Sequence, residues 1–137
     1  MKQKIKKKHI VPLHKMDYEA CQTLKDSSDE DVIKMLPDLL MWMQDMNWPV
    51  AKHIKERIYE LDLPLVKPIK EILNGNDGDW KWYILQDLLP YVSKNVLFAL
   101  KPDIDRLAKE PTKDDKASEV DQIAKDLLVT MSKTYSL

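Results

Sequence analysis

Glycine and cysteine are scarce in this sequence, and it contains no long apolar run. Of its 137 residues two are Gly and one is Cys, whereas eight are Pro. Strands would require more Gly, Thr and Val, and the abundant Leu, Ile, Lys, Glu and Asp favour helices joined by short turns that contain proline. Cys21 has no partner for an internal disulfide, so nothing requires an oxidising compartment. The composition predicts a soluble, cytoplasmic, all-α protein without a membrane span, which would need about 20 consecutive apolar residues.

Basic residues are distributed unevenly along the chain. Six of the 22 Lys and Arg residues fall in the first fifteen positions, and no acidic residue precedes Asp17. We interpret residues 1–12 as a basic, flexible N-terminal tail and residues 13–137 as a single helical domain. After position 15 the chain carries 16 basic and 23 acidic side chains, a formal charge of −7, which argues against a nucleic-acid partner. The alternative left open is a nucleic-acid contact through the arm that contains Lys2, Lys4, Lys6, Lys7 and Lys8.

Two short stretches of similar sequence are the most informative feature. Residues 45–51 read Asp-Met-Asn-Trp-Pro-Val-Ala, and residues 77–83 read Asp-Gly-Asp-Trp-Lys-Trp-Tyr. Each has an acid, then Asn or Asp two positions later, then a Trp that begins an amphipathic run. Their offset of 32 residues lies within the range of helical repeats. We interpret each as the turn between the two antiparallel helices of one repeat, with Asn47 and Asp79 capping the second helix.

The spacing of apolar residues predicts about seven to nine short helices. One begins at Pro49 and has a single apolar face, whereas the helix after Asp79 is apolar nearly all round, which predicts that it is covered on several sides. Near the C-terminus, Pro102 is predicted to open a helix separate from the one before it. Residues 111–116 are predicted to form a polar, mobile loop that precedes the last helix.

The paired turns resemble those of HEAT-type or armadillo-like α-solenoid repeats. More closely, residues 45–51 and 77–82 are similar to the signature of a small bacterial family known as domain of unknown function 5071. The resemblance covers about residues 10–130 and implies a compact stack of antiparallel helix pairs, with no active site carried over. HEAT repeats often place Val and then Arg after the turn. Here Ala51 follows Val50 and Tyr83 follows Trp82, which favours a short, irregular stack over a long superhelix.

Residues suited to catalysis or metal binding are poorly placed along the chain. His9 and His14 lie in or beside the tail, and His53 with Glu56 is only half of a metal site. Cys21 falls on the apolar face of the first helix, which predicts a buried structural thiol. We therefore predict no catalytic, cofactor or metal residues and no cofactor. A small enzyme with an acidic site remains an alternative if Glu56, Asp87 or His53 line a closed pocket with raised pKa values.

Trp80 and Trp82 lie about 200° apart around a helix, so one core face cannot hold both. Either both pack into neighbouring helix layers, or one is exposed in a groove as a contact anchor. The expected function is a non-enzymatic protein-binding module, such as a bacterial regulatory or immunity-type protein, that is a monomer and binds an unidentified protein partner. The candidate contact residues are Trp80, Trp82, Asp45, Asp77 and Asp79.

Overall fold

A computed structural model describes residues 9–136, and in this part of the chain the fold is all-α, as predicted. The helices are α1 Tyr18–Asp26, α2 Asp29–Lys34, α3 Leu36–Leu40, α4 Pro49–Ile58, α5 Val66–Leu73, α6 Gly78–Tyr83, α7 Lys94–Lys109, α8 Lys113–Ala117 and α9 Val120–Tyr135. Short 3-10 turns at Met41–Met43, Leu63–Leu65 and Leu89–Tyr91, and a π-helical segment at Ile84–Leu88, connect them. None of the described helices combines the length and apolar character needed to cross a membrane.

Polar side chains cap the first two helices at their N-termini. The Asp17 carboxylate accepts from the Ala20 N–H and caps α1, and the Ser28 hydroxyl accepts from the Asp31 N–H and caps α2. Such bonds satisfy backbone donors that have no partner within the helix. Hydrogen bonds from the Leu13 N–H and the His9 ring, opposed in part by burial, lower the pKa of Asp17 to about 2.

One continuous core lies between the helices, and the predicted face of α4 forms part of it. Val50, Ala51, Ile54 and Ile58 are all fully buried. Large side chains that are fully buried include Leu24, Leu36, Leu39, Leu40, Met43, Ile54, Ile58, Leu65, Ile69, Leu73, Ile84 and Leu85.

The helices fall into two units related by an offset of 49 residues rather than 32. Residues 36–42 read Leu-Pro-Asp-Leu-Leu-Met-Trp, and residues 85–91 read Leu-Gln-Asp-Leu-Leu-Pro-Tyr. The three leucines of each stretch are buried. The first unit comprises α1–α4 and the second comprises α5–α7.

Two arginines confirm that the units are built alike. In the first unit Arg57 Nε donates to the Leu24 carbonyl at 3.2 Å and so caps the end of α1. In the second, Arg106 Nη2 donates to the Leu73 carbonyl at 3.0 Å and caps the end of α5. Each arginine lies 33 residues after the carbonyl that it caps. Cationic donors at a helix C-terminus satisfy free carbonyls and interact favourably with the helix dipole.

The first Trp-containing stretch begins with a turn before α4, as predicted, whereas in the second only Asp77 precedes α6, which contains the rest. In the 49-residue register Asp77 matches Ser28, and Asp45 matches Lys94, the first residue of α7. The predicted caps are wrong. Trp48 occupies the cap position of α4 without a side-chain bond, and Asp77, not Asp79, caps α6. At the first turn, Asp45 accepts from the Asn47 N–H at 2.8 Å. Asn47 is therefore part of a local turn and not the cap of α4.

Pro102 does not open a separate helix. It lies within α7, which runs unbroken from its cap at Ser93. The proline is exposed, so the carbonyl that it leaves without a backbone donor lies on the solvent side of the helix, where water can hydrate it. Packing of α7 against both α5 and α9 holds the helix together across this position.

The predicted loop at residues 111–116 is also wrong, because most of it forms α8. The Thr112 hydroxyl accepts from the Asp115 N–H, and the Asp115 carboxylate accepts from the Thr112 N–H. This reciprocal capping box begins a helix in a stretch whose composition suggested only a loop.

Only the last part of the predicted tail can be compared with the structure. Residues 1–8 lie outside the described range, so the prediction of flexibility there is not addressed. Residues 9–12 contact the domain: the His9 ring lies 2.8 Å from Asp17, and Ile10 and Val11 pack against the core. The residues that pack with the helical domain therefore include positions before the predicted boundary at residue 13, from residue 9 onward.

Candidate functional site

An open groove beside Trp80 lies where the two units meet. It has a volume of about 270 Å³ and is formed by α3 of the first unit and by α5 and α6 of the second. We call it the Trp80 groove, and its lining residues are Pro37, Leu40, Pro68, Glu71, Ile72, Gly75, Asn76, Asp77 and Trp80.

Three hydrogen bonds fix the geometry of the groove. The Trp80 N–H donates to the Asp77 carboxylate at 3.0 Å, which places the residue in the first turn of α6. The Trp80 Nε1–H donates to the Leu40 carbonyl at 3.0 Å, across the boundary between the units. Beneath them, the Asn74 amide donates to Asp103 of α7 at 2.9 Å. The half-buried indole is therefore held in one orientation while part of its surface faces the groove.

The groove is apolar on its floor and acidic at its rim. Proline, Leu, Ile and Trp side chains provide the apolar surface, and Glu71 and Asp77 provide two carboxylates. None of the described lining residues is basic. A groove of this kind can accept an apolar side chain and hold a cation at its edge.

Asp79 lies outside the groove, in a shallow acidic depression next to it. Asp77, Asp79 and Asp114 line this depression, and Asp79 accepts from the Ser118 hydroxyl at 2.8 Å. Gly78 makes the close approach of α6 and α8 possible, because a Cβ at this position would lie 2.6 Å from the Ser118 Oγ. Asp77 borders both features, and Asp79 is engaged in joining α6 to α8.

Asp45 is close to Tyr83, on the turn that leads into α4. Burial raises the pKa of Tyr83, and the carboxylates of Asp45, Asp79 and Asp87 raise it further. Burial likewise raises the pKa of Asp87, against an opposing effect of Lys55. The structure therefore places Asp45 and Asp79 near one tyrosine, but not in the groove that contains Trp80.

Trp82 takes a position different from that of Trp80. Both rings are half-buried and pack against the core, so each contacts a neighbouring layer. Trp82 meets Tyr83 edge to face, with ring centroids 5.5 Å apart. Since Trp82 is not among the residues that line the Trp80 groove, only Trp80 and Asp77 of the five predicted contact residues share it.

A buried ion pair was missed from the sequence. Lys81 Nζ lies 2.7 Å from Asp115 Oδ1, and both side chains are almost fully buried. Burial raises the pKa of Asp115, but its hydrogen bonds with Lys81 and Thr112 outweigh that effect, so the pKa lies below its usual value. The repeat contains a sequence signal for the burial of Lys81. A shift of 49 residues aligns Lys81 with Val32, which is buried in the first unit.

Two of the three residues considered for an enzyme lie in one pocket, and the third does not. His53 and Glu56 line a polar pocket of about 500 Å³ between α1 and α4, together with Tyr18, Cys21, Gln22, Lys25 and Arg57. Asp87 does not line it. Cys21 is buried, as predicted, and burial followed by the nearby charge of Asp17 raises the pKa of its thiol. A thiol held protonated in this way is a poor nucleophile.

A second groove lies at the other end of the second unit. It has a volume of about 250 Å³ and is formed by residues 85–91 together with α9. We call it the Tyr91 groove, and its lining residues are Leu85, Gln86, Pro90, Tyr91, Ile123, Asp126, Leu127 and Thr130.

Comparison with protein-family profiles gives a match over most of the chain. The sequence profile of a family described as Domain of unknown function (DUF5071) matches residues 10–128. No curated protein matches the chain.

Proposed function

The chain belongs to the DUF5071 family, and from the geometry of the Trp80 groove we propose that it is a non-enzymatic, protein-binding module. The observation that carries the proposal is a half-buried indole in an open apolar groove with two carboxylates: its Nε1–H donates to the Leu40 carbonyl, and the backbone N–H of the same residue donates to Asp77. Tryptophan anchors that are rigid before binding lose little freedom on association and are frequent at the centre of protein interfaces.

The charges at the groove define the kind of partner. Glu71 and Asp77 are both exposed and have no basic neighbour among the described lining residues. A segment with an apolar side chain for the floor and a Lys or Arg for the rim would satisfy both surfaces. A nucleic acid would bring phosphates to this acidic rim, so the groove does not favour the nucleic-acid alternative.

Peptide selection on the immobilised full chain tests the proposal. A library of random peptides should yield sequences in which Leu, Phe or Trp lies next to Lys or Arg. The Glu71→Lys variant should bind the selected peptides roughly fivefold more weakly, since reversing an exposed charge changes binding by about 1 kcal/mol. Binding should shift the Trp80 indole N–H resonance in NMR spectra of the full chain.

The control is Glu60→Lys, which reverses an exposed charge on the same protein outside the groove. It changes net charge by the same amount, so it should leave peptide binding within about twofold of the wild type. Enrichment of acidic peptides, or equal losses in the two variants, would contradict the proposed role of the groove.

The sequence-based expectations about context form part of the proposal. We place the module in the bacterial cytoplasm as a monomer, supported by its single, buried cysteine. Sedimentation across a concentration series tests the monomer. The nucleic-acid alternative is tested by comparing salt-dependent DNA and RNA binding of the full chain and a chain without residues 1–9. A loss of binding on deletion would favour that alternative.

A further inference from the structure

The polar pocket of about 500 Å³ between α1 and α4 shares no lining residue with the Trp80 groove. We call it the His53 pocket. Side chains of α1 at positions 18, 21, 22 and 25 form one wall, and side chains of α4 at positions 53, 56 and 57 form the other. Positions separated by three, four and seven residues lie on one face of a helix, so each helix presents a single face to the pocket.

The two walls run side by side in the same direction. Before α1, the Lys15 carbonyl accepts from the backbone N–H of Val50, which is in the first turn of α4. Near the end of α1, the Leu24 carbonyl accepts from Arg57, which is near the end of α4. Early residues of α1 therefore lie opposite early residues of α4, and late residues lie opposite late ones.

This direction gives the pocket an aromatic end and a cationic end. At the first, the rings of Tyr18 and His53 meet edge to face, with centroids 5.9 Å apart. At the second, Lys25 and Arg57 line the pocket, and Glu56 comes just before Arg57. The two ends are about 10 Å apart along α1, from the rise of a helix over seven residues. This length suits a molecule of the size of an amino acid.

The second unit satisfies the corresponding arginine with its own side chains. A shift of 49 residues aligns Arg57 with Arg106 and Lys25 with Asn74. The Asn74 side chain accepts from Arg106 Nη2 at 3.0 Å and donates to Asp103 at 2.9 Å. Lys25 cannot accept a hydrogen bond. The first unit therefore has two cations where the second has a donor and its acceptor.

The charged groups of the His53 pocket retain capacity for a ligand. Arg57 Nε and Nη2 donate to two carbonyls at the end of α1 and to Asp29, which holds the guanidinium in one orientation. Arg57 Nη1 has no acceptor among residues 9–136. Within the same range, neither Lys25 nor Glu56 forms an ion pair.

We propose that the His53 pocket binds a free α-amino acid with an aromatic side chain. Its carboxylate is held by Lys25 and Arg57 Nη1, its ammonium by Glu56, and its side chain lies against Tyr18 and His53. A ligand with only a negative charge would be repelled by Glu56, and one with only a positive charge would be repelled by the two cations. A zwitterion satisfies both signs. This site is separate from the Trp80 groove and does not depend on the proposed function.

The experiment uses the full chain and three related probes at neutral pH. The first is L-phenylalanine. N-acetylphenylalanine keeps the carboxylate but has no ammonium, and phenylalaninamide keeps the ammonium but has no carboxylate. NMR titration follows the ring C–H resonances of His53 for this pocket and the indole N–H of Trp80 for the groove. Calorimetry measures the affinity of each probe.

Two variants remove one charge each from the pocket, namely Lys25→Met and Glu56→Gln. Both residues are exposed, so neither change should impair folding. Their matched controls are Lys109→Met and Glu110→Gln, which remove the same charges from exposed positions outside the pocket.

We expect L-phenylalanine to shift the His53 resonances and to bind roughly fivefold or more tightly than either singly charged probe, since each lacks one ion pair. Lys25→Met should weaken phenylalanine binding by about fivefold but leave that of phenylalaninamide unchanged, because the amide has no carboxylate to lose. Glu56→Gln should weaken phenylalanine binding and leave that of N-acetylphenylalanine no weaker. The two control variants should bind all three probes as the wild type does.

Three results would overturn the inference. Equal or tighter binding of N-acetylphenylalanine would identify a pocket for anions, and equal or tighter binding of phenylalaninamide would identify one for cations. Shifts at Trp80 without shifts at His53, or no binding at all, would show that this pocket does not take amino acids. None of these results bears on the binding of peptides to the Trp80 groove, so the proposed function is decided by its own test.

Discussion

At the scale of single residues, the second unit has charges where the first has apolar side chains. In the 49-residue register Lys81 corresponds to Val32, and Asp103 corresponds to Ile54, yet all four positions are buried. Each charge has a partner: Lys81 pairs with Asp115, and Asp103 accepts from Lys70 at 3.1 Å and from Asn74 at 2.9 Å. A buried charge is tolerated only with such partners. The Lys81 pair links the second unit to α8, whereas the Asp103 bonds join α7 to α5 within that unit.

We predict that Lys81→Met destabilises the fold by about 3–5 kcal/mol, because it leaves the Asp115 carboxylate buried without its cation. The double variant Lys81→Met/Asp115→Asn should recover part of the loss, since no charge then remains in the core. Urea unfolding at neutral pH measures both effects. Equal stability of the single and double variants would show that the ion pair is not what Lys81 contributes.

The pH dependence of stability should differ between the wild type and Lys81→Met at this site. In the wild type the pKa of Asp115 is below its usual value, so its contribution is complete above the unfolded pKa of about 3.9 and is lost as pH falls through the folded pKa. Without Lys81, only the hydrogen bonds with Thr112 oppose the effect of burial, so the pKa of Asp115 should be higher in the variant than in the wild type. The difference in unfolding free energy between wild type and Lys81→Met should therefore be smaller at pH 4 than at pH 7.

At the scale of elements, the contact between α6 and α8 depends on a missing side chain. A Cβ on Gly78 would lie 2.6 and 2.9 Å from the side chain of Ser118 and 3.0 Å from the Asp114 carbonyl. We predict that Gly78→Ala destabilises the protein by about 1–3 kcal/mol through overpacking, although alanine favours helix by about 1 kcal/mol. Thermal unfolding measures the change. Ser118→Gly in the same chain should restore part of the stability, because it removes two of the three close contacts.

Gly75 is the matched control for Gly78. A Cβ there would lie 3.3 Å from the Ile72 carbonyl and 3.4 Å from the Glu71 carbonyl, so small adjustments can accommodate it. Gly75→Ala should therefore have a smaller effect than Gly78→Ala. A larger loss at Gly75 would contradict the assignment of the effect to the contact between α6 and α8.

Replacing the proline within α7 is expected to stabilise the protein, whereas Gly78→Ala is expected to destabilise it. Pro102 is exposed, so replacing it removes no buried contact. Pro102→Ala restores a backbone donor to the helix, which is worth up to about 3 kcal/mol, while the unfolded chain gains freedom worth about 0.4–1 kcal/mol. The net expectation is a more stable protein, measured by urea unfolding. A loss of stability would mean that the proline ring makes a contact on which α7 depends.

At the scale of the whole molecule, most helices and turns could be predicted from the sequence, except for α8 and the continuity of α7, but their relation could not. The apolar face of α4 follows from spacing alone, and the turns at Asp45 and Asp77 were located correctly. The predicted offset of 32 residues is wrong because it aligns the two Trp-containing stretches, which do not occupy equivalent places in the two units. The true register depends on common leucines and on Arg57 and Arg106, whose role as caps becomes visible only when distant helices are brought together.

The same limit applies to the candidate site. Trp80 and Asp77 are neighbours in sequence, so their shared groove could be anticipated. Pro37 and Leu40 of the first unit also line this groove. Lys81 and Asp115, which form an ion pair between α6 and α8, are 34 residues apart in the sequence. Local pattern does not contain such contacts, because they depend on how the units pack.

The two arginine caps provide a test of the two-unit architecture. Arg57→Met and Arg106→Met each keep an aliphatic stem but remove the donors to the carbonyls of Leu24 and Leu73. Each should cost about 1–3 kcal/mol, because buried or partly buried carbonyls lose charged donors. Since the caps lie in different units and share no hydrogen-bond partner, the losses should add within about 0.5 kcal/mol in the double variant. Hydrogen exchange should locate the loss at the end of α1 for Arg57→Met and at the end of α5 for Arg106→Met. Strong coupling, or increased exchange at the other unit's helix, would show that the two caps serve one structure rather than two similar ones.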